Sequence, residues 1–342
     1  MKPVTTFLRT LAIIPMLIAC SATMSLGKTH SGVITVSVDL SAQDASGKTE
    51  LWIPYPTSDG EQDITNIKVI GDFVSSAVYT DAVYSTPMLY ARWEKGTISR
   101  KLTFSFQAKR EEVIRRDFPA REAAWNPADY AFYLKATKLG PIDGEVGMLA
   151  AKITAGKKTV LEKARAIYDW TCENTYRDPK TRGCGAGDVC ALLKNPGGKC
   201  ADIHSVFVAL ARAAGVPARE IFGIRMGKKD REDVTSWQHC WAEFYLPGYG
   251  WVPVDPADVR KAMLTENLKL SDPKTSEYRA YFWGGIDPYR VKLSVGRDLT
   301  LNPVQPGGTV NHLMYPFVSV GSKVIDWLDP ASFKYNIMYT AE

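Results

Sequence analysis

The sequence predicts an α+β protein: an antiparallel β-sandwich, then a helix-and-sheet unit, then a β-rich extension. Three observations carry this. Apolar and polar residues alternate at period two through the first third of the chain, helical spacing replaces the alternation after Asn126-Pro127, and short strand-like runs return after residue 290. A chain of 342 residues is long enough for two or three cores. The boundaries read as 1–27 for a leader, 28–125 for the sandwich, 126–289 for the central unit and 290–342 for the extension.

In the leader, Lys2 and Arg9 precede an apolar stretch from Leu11 to Ala19, and small residues follow. A positive end, a short apolar segment and a small-residue exit make a secretory signal. The segment is too short to stay in a bilayer as a helix. Leu17-Ile18-Ala19-Cys20 resembles a bacterial lipobox and would place a lipid anchor on Cys20. Ser25-Leu26-Gly27 resembles an ordinary signal-peptidase exit and would leave Lys28 first. Either way the expectation is an exported chain, periplasmic or membrane-anchored through Cys20.

In the sandwich, Ile34, Val36, Val38 and Leu40 alternate with Thr35, Ser37 and Asp39. Leu51, Ile53 and Tyr55 repeat the pattern, as do Leu102, Phe104 and Phe106. In the central unit, Val160, Leu161, Ala164, Ile167, Tyr168 and Thr171 form one stripe of a helix that begins near Lys158. A second helix is expected from about Cys200 to Gly215, where Gly and then Pro217 stop it. Arg219 to Met226 and Trp237 to Leu246 read as strands. Pro247-Gly248-Tyr249-Gly250 is a turn, and Trp251 to Asp255 returns from it. Arg290 to Val295 and Leu313 to Val320 are the strand-like runs of the extension.

The net charge is +5. Its densest patches, Lys109-Arg110 to Arg116 and Lys228-Lys229, are interrupted by acids. That is a solvated mixed surface, and no nucleic-acid partner is expected. There are six cysteines, at 20, 172, 184, 190, 200 and 240. In an exported chain spare thiols tend to pair, and Cys184 with Cys190, in one Gly-rich loop, is the most natural disulfide.

The chemistry converges on Cys200, His239 and Asp255. A helix N-terminus offers unpaired N–H groups and partial positive charge, which stabilise a thiolate. Cys200 stands there, after Pro196-Gly197-Gly198-Lys199, and its own N–H can serve an oxyanion. On the strand Trp237 to Leu246, His239 shares a face with Trp237 and Trp241, while Cys240 shares the opposite, apolar face with Ala242, Phe244 and Leu246. Cys240 is therefore expected to point away from the site. His239 and Asp255 each stand eight positions from Pro247, so a hairpin centred there places them opposite each other. The carboxylate would then hold the imidazole in one tautomer and leave the other nitrogen for the thiol. Trp237 and Trp241 can line a groove or simply pack. Zinc is not expected: Cys200 and His204 share a helix face, but His239 and Cys240 point to opposite faces, and the paired-cysteine spacing is missing. His204 and Asp202 are read as supporting the helix or lining the cleft. No cofactor is implied, and no acidic calcium loop is evident.

Three blocks in this part resemble a known family. Gly198-Lys199-Cys200-Ala201-Asp202 with Phe207 to Arg219, His239 to Tyr245, and Gly250 to Pro256 look like the cysteine, histidine and aspartate blocks of the transglutaminase-like superfamily, in family order. The resemblance covers roughly residues 145 to 260. It implies a papain-like transglutaminase core, with the cysteine on a helix packed against an antiparallel sheet. It also implies acyl transfer on peptide or protein amides through a thioester, by a peptidase or amidase or by a cross-linking transferase. A binding or assembly module with a vestigial site is the contrasting expectation. The family often draws a second oxyanion donor from before the cysteine helix, and Tyr176 is the candidate here.

Overall fold

The computed structural model describes residues 28–342; the expected signal and lipobox, with Cys20, lie outside the described residues. Two five-stranded sheets build the sandwich. One runs in the order Arg231–Asp233, Lys334–Thr340, Thr29–Asp39, Lys101–Glu111, Gln62–Gly71. The other runs Lys323–Ile325, Phe317–Val320, Thr49–Pro54, Pro87–Trp93, Ser75–Thr80. All pairings within them are antiparallel. The alternating residues Ile34, Val36, Val38, Leu102, Phe104 and Phe106 face inward and meet Leu51, Ile53, Leu89 and Trp93 of the second sheet. The strand Thr49–Pro54 departs from simple alternation. It is buried on both faces, because Trp52 packs outward against Leu299, Leu301, Leu313 and Phe317.

The segment after residue 290 does not stand apart as an extension. Arg290–Val295 is the outer strand of the central unit's sheet, and the last three strands complete both sheets of the sandwich. Strand alternation states which face is buried but not which neighbour a strand pairs with, so the sequence could not show this.

The central sheet has the order Gly250–Val254, Gln238–Leu246, Ala218–Arg225, Arg290–Val295, all antiparallel. The helix Cys200–Ala213 packs across it through Ile203, Val206, Phe207 and Leu210, which share a core with Phe222, Cys240, Ala242 and Phe244. Every residue of that helix from Cys200 to Arg212 is buried. Its end follows the sequence signal: Gly215 takes φ +78, the Gly215 N–H binds the Arg212 carbonyl and the Val216 N–H binds the Ala211 carbonyl. That is the Schellman closure, completed by Pro217. The helix Val160–Asn174 begins on a capping box between Thr159 and Glu162 and packs its apolar stripe against the cysteine helix.

Candidate active site

Cys200 is the first residue of its helix and is 2% exposed. Two contacts fix the helix start. The Asp202 carboxylate accepts from the Lys199 N–H at 3.0 Å and from the Gly187 N–H at 2.8 Å. Gly185 and Gly187, both at positive φ, let this loop lie against the helix; a Cβ on Gly185 would come 1.9 Å from Asp202 Oδ2. The loop delivers the Cys184 carbonyl to the Ala201 N–H at 2.9 Å. Among the described residues the neighbouring Cys200 N–H has no acceptor, which leaves it available to an oxyanion.

The thiol sits among Cys184, Cys240 and His239. Hydrogen bonding from Cys184 and Cys240, together with the hydrogen bond and charge of His239, holds the Cys200 thiol well below its ordinary pKa despite burial. This corrects two expectations. Cys184 does not pair with Cys190. Both are free thiols; Cys184 is turned inward, its Sγ 3.4 Å from the Gln238 carbonyl, while Cys190 is exposed on the short helix Val189–Lys194. Nor does Cys240 point away from the site. The apolar strand face on which it lies is the face the cysteine helix covers, so pointing into the core means pointing at Cys200.

His239 is buried, 4% exposed. Its Nε2 binds Asp255 Oδ2 at 2.7 Å, which leaves Nδ1 for the thiol. The hairpin register differs by one step from the expected one. Leu246 pairs with Gly250 and Ala242 with Val254, so the turn is centred on Gly248 and Asp255 is not level with His239. Asp255 still reaches the imidazole because the strand has ended. It is the N-cap of the helix Pro256–Thr265, and its Oδ1 accepts from the Asp258 N–H at 2.7 Å. The same oxygen binds His204 Nε2 at 3.1 Å, and Oδ2 also takes Arg290 Nη1. Asp255 is thus wholly buried and surrounded by donors. Burial pushes its pKa up, but Arg290, His239 and His204 outweigh that and hold it well down. For His239, burial and the Arg225 charge oppose protonation, while Asp258 and Asp255 outweigh them and raise its pKa.

Sequence reasoning missed Arg290, Asp258, Asp287 and Arg297. Arg290 binds Asp255, Asp258 (2.8 Å) and Asp287 (2.8 Å) and is itself buried. Arg297 donates to the Ala201 carbonyl and Ser205, and it pairs with Glu220 at 2.9 Å. An arginine at the start of a strand-like run was the one signal for Arg290, and Arg297, outside that run, gave none. His204 was noticed, and it does support the site: Nδ1 contacts Cys240 at 3.5 Å while Nε2 holds Asp255. Trp237 lines a cavity beside His239, whereas Trp241 packs with Val113, Ile221 and Ile286. Tyr176 lies over Gly197 with its hydroxyl toward Asn195, so it offers no second oxyanion donor in this arrangement. The ligand atoms of His239, Asp255 and Asp258 are close enough to share a cation. The Arg290 guanidinium already provides the positive charge between those two carboxylates.

Three cavities near the site share lining residues. One of about 430 Å³ is lined by Arg177, Trp237, Gln238 and His239. It shares Arg177 and Gln238 with one of about 600 Å³. That one shares Cys184 and Tyr315 with a third of about 700 Å³. His239 lines the first of them and Cys184 lines the other two.

The transglutaminase-like superfamily core model matches residues 147–256, which include Cys200, His239 and Asp255. Over 334 residues the chain is 36% identical to an uncharacterized protein of Haemophilus influenzae, with 90% of each chain covered. This chain belongs to the transglutaminase-like superfamily. Another superfamily relative is a protein-glutamine gamma-glutamyltransferase of Pseudomonas aeruginosa, 30% identical over 112 residues; the match covers 31% of this chain and 16% of that protein. Among solved structures, a putative cysteine protease from Cytophaga hutchinsonii has a TM-score of 0.55 at 16% identity, covering 92% of this chain and 98% of that one. At that identity the likeness extends to the fold.

Proposed function

We propose that the protein is a cysteine-dependent acyl-transfer enzyme acting on peptide or protein amides, and that hydrolysis is its reaction. The observation that carries this is Cys200 at a helix start, interacting with a His239 whose other nitrogen is held by Asp255 at 2.7 Å. His239 Nδ1 takes the thiol proton, and the thiolate attacks the amide carbonyl carbon. The Cys200 N–H faces the oxyanion. Collapse expels the amine, which takes the proton from His239, and leaves a thioester on Cys200. Water then attacks the thioester, His239 acting again as base, and releases the acid.

Transfer to an amine instead of water is the second reading, favoured by the similarity to the Pseudomonas glutamyltransferase. The test is incubation with a peptide library, with and without added primary amines, read by mass spectrometry. Cleavage products abolished by Cys200→Ala are expected. Amine incorporation without cleavage would replace hydrolysis by transfer. Neither change, with Cys200 intact, would reduce the site to a binding module.

A further inference from the structure

The cavity beside His239 is walled by positive charge. Arg177 comes from the strand Tyr176–Arg177, Arg225 from the end of Ala218–Arg225, Lys228 from the loop after it, and Lys261 from the helix Pro256–Thr265. Only Arg225 is neutralised, by Asp258 at 2.5 Å and Asp287 at 3.8 Å. Asp287, the one acid lining the cavity, is held by Arg290 at 2.8 Å. Among the described residues Arg177, Lys228 and Lys261 make no salt bridge, although acids are abundant a few residues away. The Glu232 carboxylate binds the backbone N–H groups of Lys228 and Lys229 and attracts the two lysine charges, but it makes no direct salt bridge with the Lys228 ammonium. The Lys228 ammonium rests instead over the Tyr289 ring at 5.0 Å. Partial desolvation of its stem and then the Arg225 and Arg177 charges depress the Lys261 pKa, more than the nearby Asp258 charge raises it. Three unpaired cations around one cavity repel one another, and an anion placed among them relieves that repulsion.

Position decides which part of a substrate meets this charge. His239 lines the cavity, and in the acyl-transfer reading His239 gives its proton to the departing amine. The amine-bearing half therefore leaves past His239 into this space. We propose that the cavity is an anion subsite for a carboxylate on the leaving-group side, so that preferred substrates carry a free C-terminus or an acidic side chain just beyond the bond that is cleaved. The assignment rests on the acyl-transfer reading for its direction, and on the cavity and its charges for its chemistry.

The test uses acetylated hexapeptides of alanine and glycine, with the C-terminus free or amidated and with Asp or Asn at the penultimate position. Each is titrated into the full-length Cys200→Ala protein, so that binding is read without turnover. A carboxylate is expected to tighten binding about tenfold over its amide partner. The four peptides show whether the terminal or the side-chain carboxylate supplies the gain. The preference should shrink at high salt and fall to within about twofold when Lys228→Gln and Lys261→Gln are added. Both lysines are exposed, and circular dichroism checks that the fold is kept. Arg177→Gln is the second variant. Equal binding of acid and amide peptides, or a preference that survives these substitutions, overturns the subsite. If the carboxylate preference holds while the unmodified enzyme processes no peptide, the acyl-transfer reading fails and the subsite stands.

Discussion

Asp255 ties a helix start to a buried imidazole through a single side chain. Its two oxygens accept from His239, Arg290, His204 and the Asp258 N–H, so it caps a helix and orients an imidazole at once. In Asp255→Asn an amide N–H can face His239 and favour the wrong tautomer. The kcat for a cleaved peptide should fall by a factor on the order of 10² to 10⁴ with KM less affected, measured by steady-state kinetics. Arg290 balances Asp255, Asp258 and Asp287. Arg290→Leu leaves those carboxylates without their shared cation and should destabilise the protein by about 3–5 kcal/mol near pH 7, read from urea unfolding. The sign with pH follows from the lowered pKa values of Asp255 and Asp258. Stabilisation by such carboxylates is full above their ordinary value of 3.8 and is lost as pH falls through the lower folded values. The variant lacks much of that stabilisation, so its deficit should narrow as the solution is acidified below that value. The positions of Cys200, His239 and Asp255 were legible because each sits in a distinctive local pattern. Arg290 was not, since its partner Asp255 is 35 residues away and an isolated arginine in a strand says nothing of its partner.

The element that sets the site is the cysteine helix with the loop from Gly183 to Gly187. Asp202 ties the two together through the Lys199 and Gly187 N–H groups. Gly185→Ala puts a Cβ on Asp202 at a φ of +94. It should cost about 1–3 kcal/mol, the scale of a lost buried acceptor contact, and slow Cys200 alkylation by displacing the Cys184 loop; thermal melting and mass mapping read both effects. The helix and its stop were legible from apolar spacing, Gly215 and Pro217. The inward turn of Cys184 was not. Glycines permit many loop paths, and sequence proximity to Cys190 suggested a bond that geometry does not make. Likewise, the hairpin residues were legible but their register was not, because it depends on how many residues the turn consumes.

For the whole molecule, the chain's last strands return to its first ones. Val36 pairs with Ile337, and Val318 with Leu51. Removing residues 317–342 takes strands from both sheets and uncovers the core of Ile34, Val36, Phe104 and Leu51. The truncated protein should lose its cooperative thermal transition and become sensitive to limited proteolysis. Before that return, the outer strand of the central sheet brings Arg290 to Asp255, and Arg297, just beyond it, reaches the Ala201 carbonyl. The arrangement around Cys200, His239 and Asp255 therefore depends on residues outside the matched span 147–256. The alternating patterns revealed β-sandwich strands near the start and strand-like runs near the end. Nothing local in either set says that they share sheets.

If Cys200 is a thiolate held by His239, its rate of iodoacetamide alkylation against pH reveals it, with peptide mapping to separate it from the other cysteines. The lowered Cys200 pKa and raised His239 pKa predict rapid alkylation through pH 6–7 that falls only in acid, and a shift of that profile toward an ordinary thiol near pH 8.5 in His239→Ala. An unmodified protein whose Cys200 alkylates slowly at pH 7, with a midpoint near 8.5 unchanged by His239→Ala, would contradict it.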